Sequence, residues 1–517
     1  MTDIPDFATA ARPYRGIITV CIIAAALLQT LDATVANVAL PHIQGSLSAT
    51  TDQVSWVLTS YLIAAAIMTP AIGWLAGRFG RRKIYLYSMA GFTIASMACG
   101  GAQTLEQMVA FRMIQGMFGA ALVPLSQAVM LDMYAPHERG SAMAIWSVGV
   151  MVGPIIGPTL GAWLTDNYNW RYVFYVNLPI GILGFLGMWA FLPATVLDRT
   201  RRFDWTGFLA LAVGIAGLQL MLDRGETKDW FSSPEVIAEA TLSVIGFYVF
   251  AVQMALAPKP FLTMSSFKDR NYVTSLGLQF ACGVVLNATS ALLPPYFQGL
   301  GNYPVMLSGI ALAPRGLGTI VGAPIVGWLV NRVDPRKLML AGLAVLGYST
   351  WQMSLWTPDV SIQAQLPMVF LQGITISLVF VPLQAVAFSS LPATMRTEAS
   401  GVIALFRNLG GSIGVSVMET LLARNTQVAH QDLARFATPF NRALQTGAPH
   451  QYWNIATQQG RTLLDALVNY HAQVIAYSDD FLAMLLGMVP AAALILLMRR
   501  PAAVVRTAED DAHVVVD

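Results

Sequence analysis

Apolar stretches of about 20 residues recur fourteen times along the chain, and no other feature limits its fold so tightly. They lie near 16–38, 54–76, 84–102, 106–131, 141–164, 171–192, 205–222, 236–257, 273–297, 307–330, 337–356, 366–389, 399–422 and 480–498. About 20 residues of helix cross some 30 Å of hydrocarbon, and backbone inside lipid must satisfy its hydrogen bonds internally. Each stretch therefore predicts a membrane-spanning helix, and the chain as a whole an all-α polytopic membrane protein. Composition agrees. Only 11% of residues are charged and the mean hydropathy is +0.58, against about 25% charged residues in soluble domains. The net charge of +2 is too small to suggest a nucleic-acid partner. Cys21, Cys99 and Cys282 sit in apolar stretches without pairing or metal-ligand spacing, so they read as packing residues. Arg12 and Arg15 precede the first stretch, which is too long for a signal-peptide core and reads as a retained span.

Orientation follows from the basic loops, since cytoplasmic loops are enriched in Lys and Arg. Alternate connections hold Arg78, Arg81, Arg82 and Lys83, then Arg139, then Arg199, Arg201 and Arg202, then Lys259, Lys268 and Arg270, then Arg332, Arg336 and Lys337, then Arg396. The intervening short loops HIQGSLSATTDQ and GGAQTLEQ hold none. Both termini are expected in the cytoplasm. The long segment 424–478 carries Arg424, Arg435, Arg442 and Arg461 on the other side, which long loops tolerate.

The chain also repeats itself. GWLAGRFGRRK (73–83) and GWLVNRVDPRK (327–337) match at six of eleven positions, 254 residues apart. Gln115-Gly116 and PLSQAV (124–129) are echoed by Gln372-Gly373 and PLQAV (382–386). A duplication with the substrate path between the copies is a common transporter plan. The expected organisation is an N-terminal six-helix bundle (1–198), a linker with two further spans (199–265) and a C-terminal six-helix bundle (266–500). Within the last lies an outer subdomain at 424–478, and a cytoplasmic tail follows at 501–517.

Few charges fall inside the expected spans: Asp32, Arg112, Arg315, Arg407 and Glu419, with Asp132 near a cytoplasmic end. Charge in lipid is costly and usually faces a protein interior or a watered path. Burial favours the neutral form of a carboxylate and a nearby Arg favours the ionised form, so Asp32 beside Arg112 could titrate as water access changes. Proton coupling is thus expected of Asp32 and Arg112, and of Glu419 as a further candidate. A permanent Asp/Arg pair that only holds the bundle together is the alternative, and Glu419 could simply be solvated. Gln29, Asn37, Gln115, Arg315 and Arg407 are the polar side chains expected along a substrate path. The surplus of buried arginines points toward neutral or anionic substrates, such as weak acids or fatty acids.

Gly149, Gly153, Gly157 and Gly161 share one helix face and permit close backbone approach. Pro154 and Pro158 beside them favour a bend, so this helix is either a hinge or leak barrier or merely a packing surface. Arg78, Arg82, Asp132 and Arg332 are expected to work with these residues as a conformational switch, the basic loops exchanging partners such as Asp132 or Glu398 as the halves rock. GGSIG (410–414) matches a nucleophile pattern but lies in a span and reads as packing. No Gly-Lys dipeptide and no H-E-x-x-H occurs, which removes the phosphate loop of ATP-driven pumps and the zinc-protease motif.

These segments together resemble the fourteen-span drug/proton antiporters of the major facilitator superfamily, over roughly residues 12–500. LDATVANVALP resembles the family's first-span motif, GWLAGRFGRRK its loop motif, RMIQGMFGA (112–120) its fourth-span motif and GVMVGPIIGPTLG (149–161) its fifth-span antiporter motif. LDRGETKDWFSS (222–233) is most similar to EmrB-type subunits of tripartite pumps. The loop motif usually has an Asp where this chain has Gly77, which implies that other contacts, such as Arg78 with Asp132, lock the closed form.

The resemblance implies a major facilitator fold and proton-coupled export of small hydrophobic drugs across the bacterial inner membrane, with no cofactor. It also implies a periplasmic adaptor (EmrA-type) and an outer-membrane channel (TolC-type) as partners, with the apolar face of 461–477 as the docking surface or else a cap over its own bundle. A narrow metabolite or fatty-acid exporter, or a symporter, is the alternative within the fold. An intramembrane enzyme is disfavoured for want of a nucleophile, metal or cofactor constellation.

Overall fold

The computed structural model describes residues 11–135, 138–194, 203–257, 262, 264–330, 332–389, 391–438, 440–441, 444, 453–454 and 456–499. Arg199, Arg201, Arg202, Lys259, Arg442 and the tail 501–517 lie outside the described residues.

Every one of the fourteen expected stretches falls on helix. Spans 1 to 6 are Arg15–Ser46, Thr51–Met68 with Ala71–Phe79, Arg81–Gly101, Leu105–Gly119 with Leu122–Met133, Arg139–Asn167, and Tyr172–Tyr175 with Asn177–Phe191. Spans 7 and 8 are Trp205–Gly225 and Pro234–Leu256. Spans 9 to 14 are Arg270–Pro295, Val305–Leu329, Pro335–Ser354, Ile362–Ala387, Ala393–Ala434 and Gln458–Leu497. Among the described residues eleven helices are long and apolar enough to cross a membrane, or twelve with the bent second span counted as one. The two stretches outside that count, spans 3 and 11, are helices of 21 and 20 residues and hold the same place in each repeat. This is consistent with fourteen crossings.

Local breaks have local causes. Span 2 bends by 57° after Met68, where Pro70 removes a backbone donor. Span 4 breaks at Ala120 and Ala121, one turn before Pro124. In the first basic loop, Gly80 turns the chain with φ 91° and ψ 136°, a conformation a side chain disfavours. At the repeated position Asp334 does this differently, accepting a bond from the Arg336 amide at 3.0 Å. Span 5 runs as unbroken helix through Pro154 and Pro158.

The helices of spans 1 to 6 pack on one another, as do those of spans 9 to 14, and spans 7 and 8 pair chiefly with each other. Outward faces are apolar, with Ile94, Leu183, Val244, Tyr248 and Leu256 exposed, as a lipid-facing surface requires. Span 5 lies against spans 1 and 10, and the basic end of span 2 against span 13. Span 7 also meets both halves: Thr59 of span 2 donates to Asp223 at 2.5 Å, and Ser416 of span 13 donates to the Leu222 carbonyl at 3.0 Å.

Within 424–478, span 13 continues to Ala434 and span 14 begins at Gln458. At 1.5 Å per residue these extensions overrun the expected spans by about 18 and 33 Å. Asn425 faces Asp480 at 3.5 Å and His430 meets Asp465 at 2.9 Å, so the extensions pair side by side.

Candidate functional site

Asp32 and Arg112 meet inside the N-terminal half. The Arg112 Nη1 donates to Asp32 Oδ2 at 2.6 Å, and the two residues are 0% and 1% exposed. Gln115 Nε2 and Asn177 Nδ2 donate to Asp32 Oδ1 at 2.8 and 2.9 Å. Arg112 also reaches the Val57 carbonyl at 3.0 Å and Gln115 Oε1 at 2.8 Å, with its guanidinium 4.3 Å from the centre of the Tyr61 ring. Asn177 is tied in turn to Ser96 at 2.9 Å, which donates to the Phe174 carbonyl at the same distance. Spans 1, 2, 3, 4 and 6 thus converge on one carboxylate. Among the described residues three buried atoms here lack a partner: Arg112 Nη2, a donor, Asn177 Oδ1, an acceptor, and the Tyr61 hydroxyl.

The other expected site residues are dispersed. Asp32 is sealed within its own half rather than facing an open path. Gln115 joins the network, whereas Gln29 accepts from the Val123 amide at 3.2 Å beside the break in span 4, and Asn37 is exposed. In the C-terminal half Arg315 donates to Ser290 Oγ at 2.5 Å and to the Leu286 carbonyl at 3.0 Å. Arg407 lies along the same span 9, its backbone one turn away beside Gly283. Neither arginine makes an ion pair among the described residues. Glu419 is exposed on span 13, with Asp223 and Glu226 as its charged neighbours, far from the Asp32 network in sequence and separate from its bonds. A recess of about 360 Å³ between spans 5 and 10, lined by Ser141, Ala144, Ile145, Val148, Ile320 and Pro324, contains none of these residues.

The switch residues divide as well. Asp132 accepts from Arg81 of its own half and, at 2.6 Å, from Arg396 Nη1 of the other half. Ser400 adds a bond to the Pro124 carbonyl at 3.1 Å. These two direct hydrogen bonds between the halves both lie at the basic-loop end, and the Glu398 backbone fills the space a side chain on Gly73 would need. The structure is closed at that end. Arg82 instead donates to the Trp189 carbonyl, and Arg332 stacks 3.7 Å above the Trp328 ring centre, each within its own half. Arg78 stands in the last turn of Ala71–Phe79. Beside it, a Cβ on Gly77 would meet nothing within 4 Å.

The glycine face of span 5 seats span 1. A Cβ at Gly149 would fall 2.2 Å from Ile23 Cγ2, at Gly153 2.4 Å from Thr30 Oγ1, and at Gly157 2.1 Å from Thr34 Oγ1. Thr30 and Thr34 donate to the Val150 and Gly153 carbonyls at 3.1 and 3.4 Å. Any side chain here pushes away the helix that carries Asp32. Gly157→Val is expected to cost about 1 to 3 kcal/mol of stability through overpacking, read as a lowered melting temperature of the purified protein. Gly157→Ala should cost less, and adding Thr34→Ala should recover part of the loss.

Arg81 belongs to the basic loop expected to partner Asp132, whereas Arg396, Asn177, Ser96 and Tyr61 were not among the residues expected from sequence to form these contacts. Asn177 stands out in the apolar run VFYVNLPIG, and counting uncharged polar residues within spans, as well as charged ones, finds it.

Known proteins place this architecture. The Major Facilitator Superfamily model matches residues 22–415. The multidrug export protein EmrB of Escherichia coli K12 is 36% identical over 439 residues, covering 83% of this chain and 85% of the relative. The fatty acid resistance protein FarB of Neisseria gonorrhoeae is 33% identical over 489 residues, covering 93% and 95%. Among solved structures, the proton:xylose symporter XylE superposes with a TM-score of 0.58 at 13% identity, over 92% of this chain and 96% of that one, a likeness of fold. The family match over most of the length and the sequence identity to EmrB together make this chain a multi-pass membrane transporter of the Major Facilitator Superfamily, of the EmrB type.

Proposed function

We propose that the protein exports hydrophobic or amphipathic compounds across the bacterial inner membrane in exchange for protons. The basic-loop end is read as cytoplasmic, which makes the present conformation closed toward the cytoplasm. One observation carries the coupling: a fully buried carboxylate held by a fully buried guanidinium, in a network with polar atoms to spare. Protonating Asp32 removes the counter-charge of Arg112, and an uncompensated buried cation costs several kcal/mol. Arg112 then has to find other acceptors, and Arg112 Nη2 and Asn177 Oδ1 are among the atoms free to join the new arrangement. Because five spans bond to this network, such a change re-sets their packing and favours one orientation of the halves over the other. Substrate binding favours the opposite one, which is exchange.

Assembly with a periplasmic adaptor and an outer-membrane channel is part of this reading. The paired helical extensions around His430 and Asp465 supply a projecting surface on the periplasmic side, and the resemblance to EmrB-type pumps supports such use. A second reading within the same fold, export of fatty acids or other amphipathic anions, is favoured by Arg315 and Arg407, two cations beside span 9 without a carboxylate partner among the described residues, and by the likeness to FarB. Proteoliposomes loaded with ethidium or with oleate separate the readings. An imposed pH gradient should drive uptake of the exported compound against its own gradient in protein-containing vesicles, oleate alone moving under the second reading. Movement of both without any response to the pH gradient would remove proton coupling.

A further inference from the structure

A second carboxylate is buried in the other half. Asp480 on span 14 is 0% exposed, and its surroundings differ in kind from those of Asp32. Its Oδ1 has only the Asn425 amide at 3.5 Å, and its Oδ2 has no partner. On its own helix stand Asp479, which is exposed, and Tyr477. Across from it span 13 offers Asn425, while Arg424 next to that residue is exposed and makes no ion pair among the described residues. Glu419 of span 13 lies on the Tyr477 side. Span 11 ends in Ser354, whose carbonyl is taken by Ser478 at 2.6 Å. Tyr296 and Trp356 close the layer, with Tyr296 5.3 Å from the Tyr477 ring and Trp356 6.3 Å from the Phe481 ring. Among the described residues, no cation faces Asp480 from any of these elements.

An isolated carboxylate in apolar surroundings is far more costly ionised than neutral. Asp32 answers that cost with Arg112 and two amides, and Asp480 with a single amide at 3.5 Å. We propose that Asp480 is a second proton-binding site, occupied in the conformation closed at the basic end and able to discharge when the aromatic layer around Tyr296, Trp356 and Tyr477 opens to water. The ligand is the proton itself, bound at a carboxylate oxygen. Asn425 and Asp480 also stand at the root of the paired extensions, so ionisation of this site would act where span 13 leaves span 14. The proposal stands whether or not Asp32 couples protons to export.

Infrared difference spectra of the purified protein in nanodiscs, between acid and neutral pH, test it without any transport assay. The carbonyl stretch of a protonated carboxyl group is expected in wild type, retained in Asp32→Asn and lost in Asp480→Asn. Unaltered spectra in Asp480→Asn would overturn the proposal. If that variant fails to fold, Asp480→Glu serves, since it should shift the band, and an unmoved band overturns it equally. A proton bound only in the folded state makes stability fall as pH rises. The wild-type melting temperature should therefore drop relative to Asp480→Asn between pH 5 and pH 8, and a constant difference would count against the site.

Discussion

Asp32→Asn is expected to give a folded transporter that no longer responds to a pH gradient. Asparagine keeps the size of the side chain and can still accept from Gln115 and Asn177, which lie 2.8 and 2.9 Å from the present carboxylate oxygen. It cannot ionise. Breaking a buried ion pair costs about 3 to 5 kcal/mol when the partner is left unpaired, and Arg112 loses its counter-charge here but not its neutral partners. It keeps the Val57 carbonyl, Gln115 Oε1 and the Tyr61 face, so the loss should sit at the low end of that range. Gradient-driven transport in proteoliposomes should fall to the level of empty vesicles, while downhill exchange of the same probe persists. A pair with a purely structural role predicts the reverse, a stability loss with coupling intact in whatever protein remains folded. Combining Asp32→Asn with Arg112→Gln should then restore stability without restoring transport. Wild-type pumping by the single variant would sink the coupling role of Asp32 and move attention to Glu419 or Asp480.

The architecture was legible because lipid leaves a chain few choices. Fourteen apolar stretches located fourteen helical positions, and the repeat GWLAGRFGRRK against GWLVNRVDPRK located two halves. The Asp32 and Arg112 pairing was legible in outline, since two opposite charges in lipid-length helices have little else to bond. What spans 3 and 6 bring to it was not, because Ser96 and Asn177 are single polar residues among many. A clasp between the basic loops and Asp132 or Glu398 was legible, but which arginines bond Asp132 was hidden for a different reason. Arg81 and Arg396 stand in loops whose basic residues already have an explanation as orientation signals, so nothing in their pattern distinguishes a bonded arginine from a solvated one. Asp480 was missed because it falls at the expected start of span 14, whereas helix runs from Gln458.

The duplicated halves have also parted in chemistry. Gln115-Gly116 aligns with Gln372-Gly373, which sets Val369 where the first half has Arg112. Val369 is fully buried, and Gln372 Nε2 faces the Met353 sulfur at 3.3 Å instead of a carboxylate. The first half therefore carries a compensated ion pair in its centre, and the second carries uncharged polar side chains such as Gln279, Gln372 and Thr375 there, with cations beside span 9. A pair of bundles with unlike interiors can respond to protonation and to substrate separately, which exchange requires. Identical interiors would respond to both alike.

Asp132→Asn is expected to open the basic end. Asp132 bonds Arg81 and Arg396, and Arg139 stands beside the same carboxylate, its side chain reaching the Leu131 carbonyl at 3.0 Å. Removing the one negative charge leaves three guanidiniums facing one another across the two halves. The pairs are 10 to 14% exposed, so solvent screens part of the about 3 to 5 kcal/mol that breaking a fully buried pair costs. A remainder of about 2 to 3 kcal/mol shifts the conformational equilibrium roughly 30- to 150-fold away from the closed form. Spin labels at Lys83→Cys and Lys337→Cys, both exposed and at corresponding positions of the repeated loops, report the separation of the halves at that end. Their distance distribution should move to longer values in Asp132→Asn and return when Arg396→Gln is added, since the second change removes the repulsion across the gap. Gly77 enters here too, because the family's loop acid is absent from this chain and Asp132 is an acid that bonds both halves. Gly77→Asp, for which the structure has space, should therefore rescue part of the closed population in Asp132→Asn. Unchanged distances in the single variant would show that span-to-span packing around Gly73 and Gly401, rather than the ion pairs, holds the basic end shut.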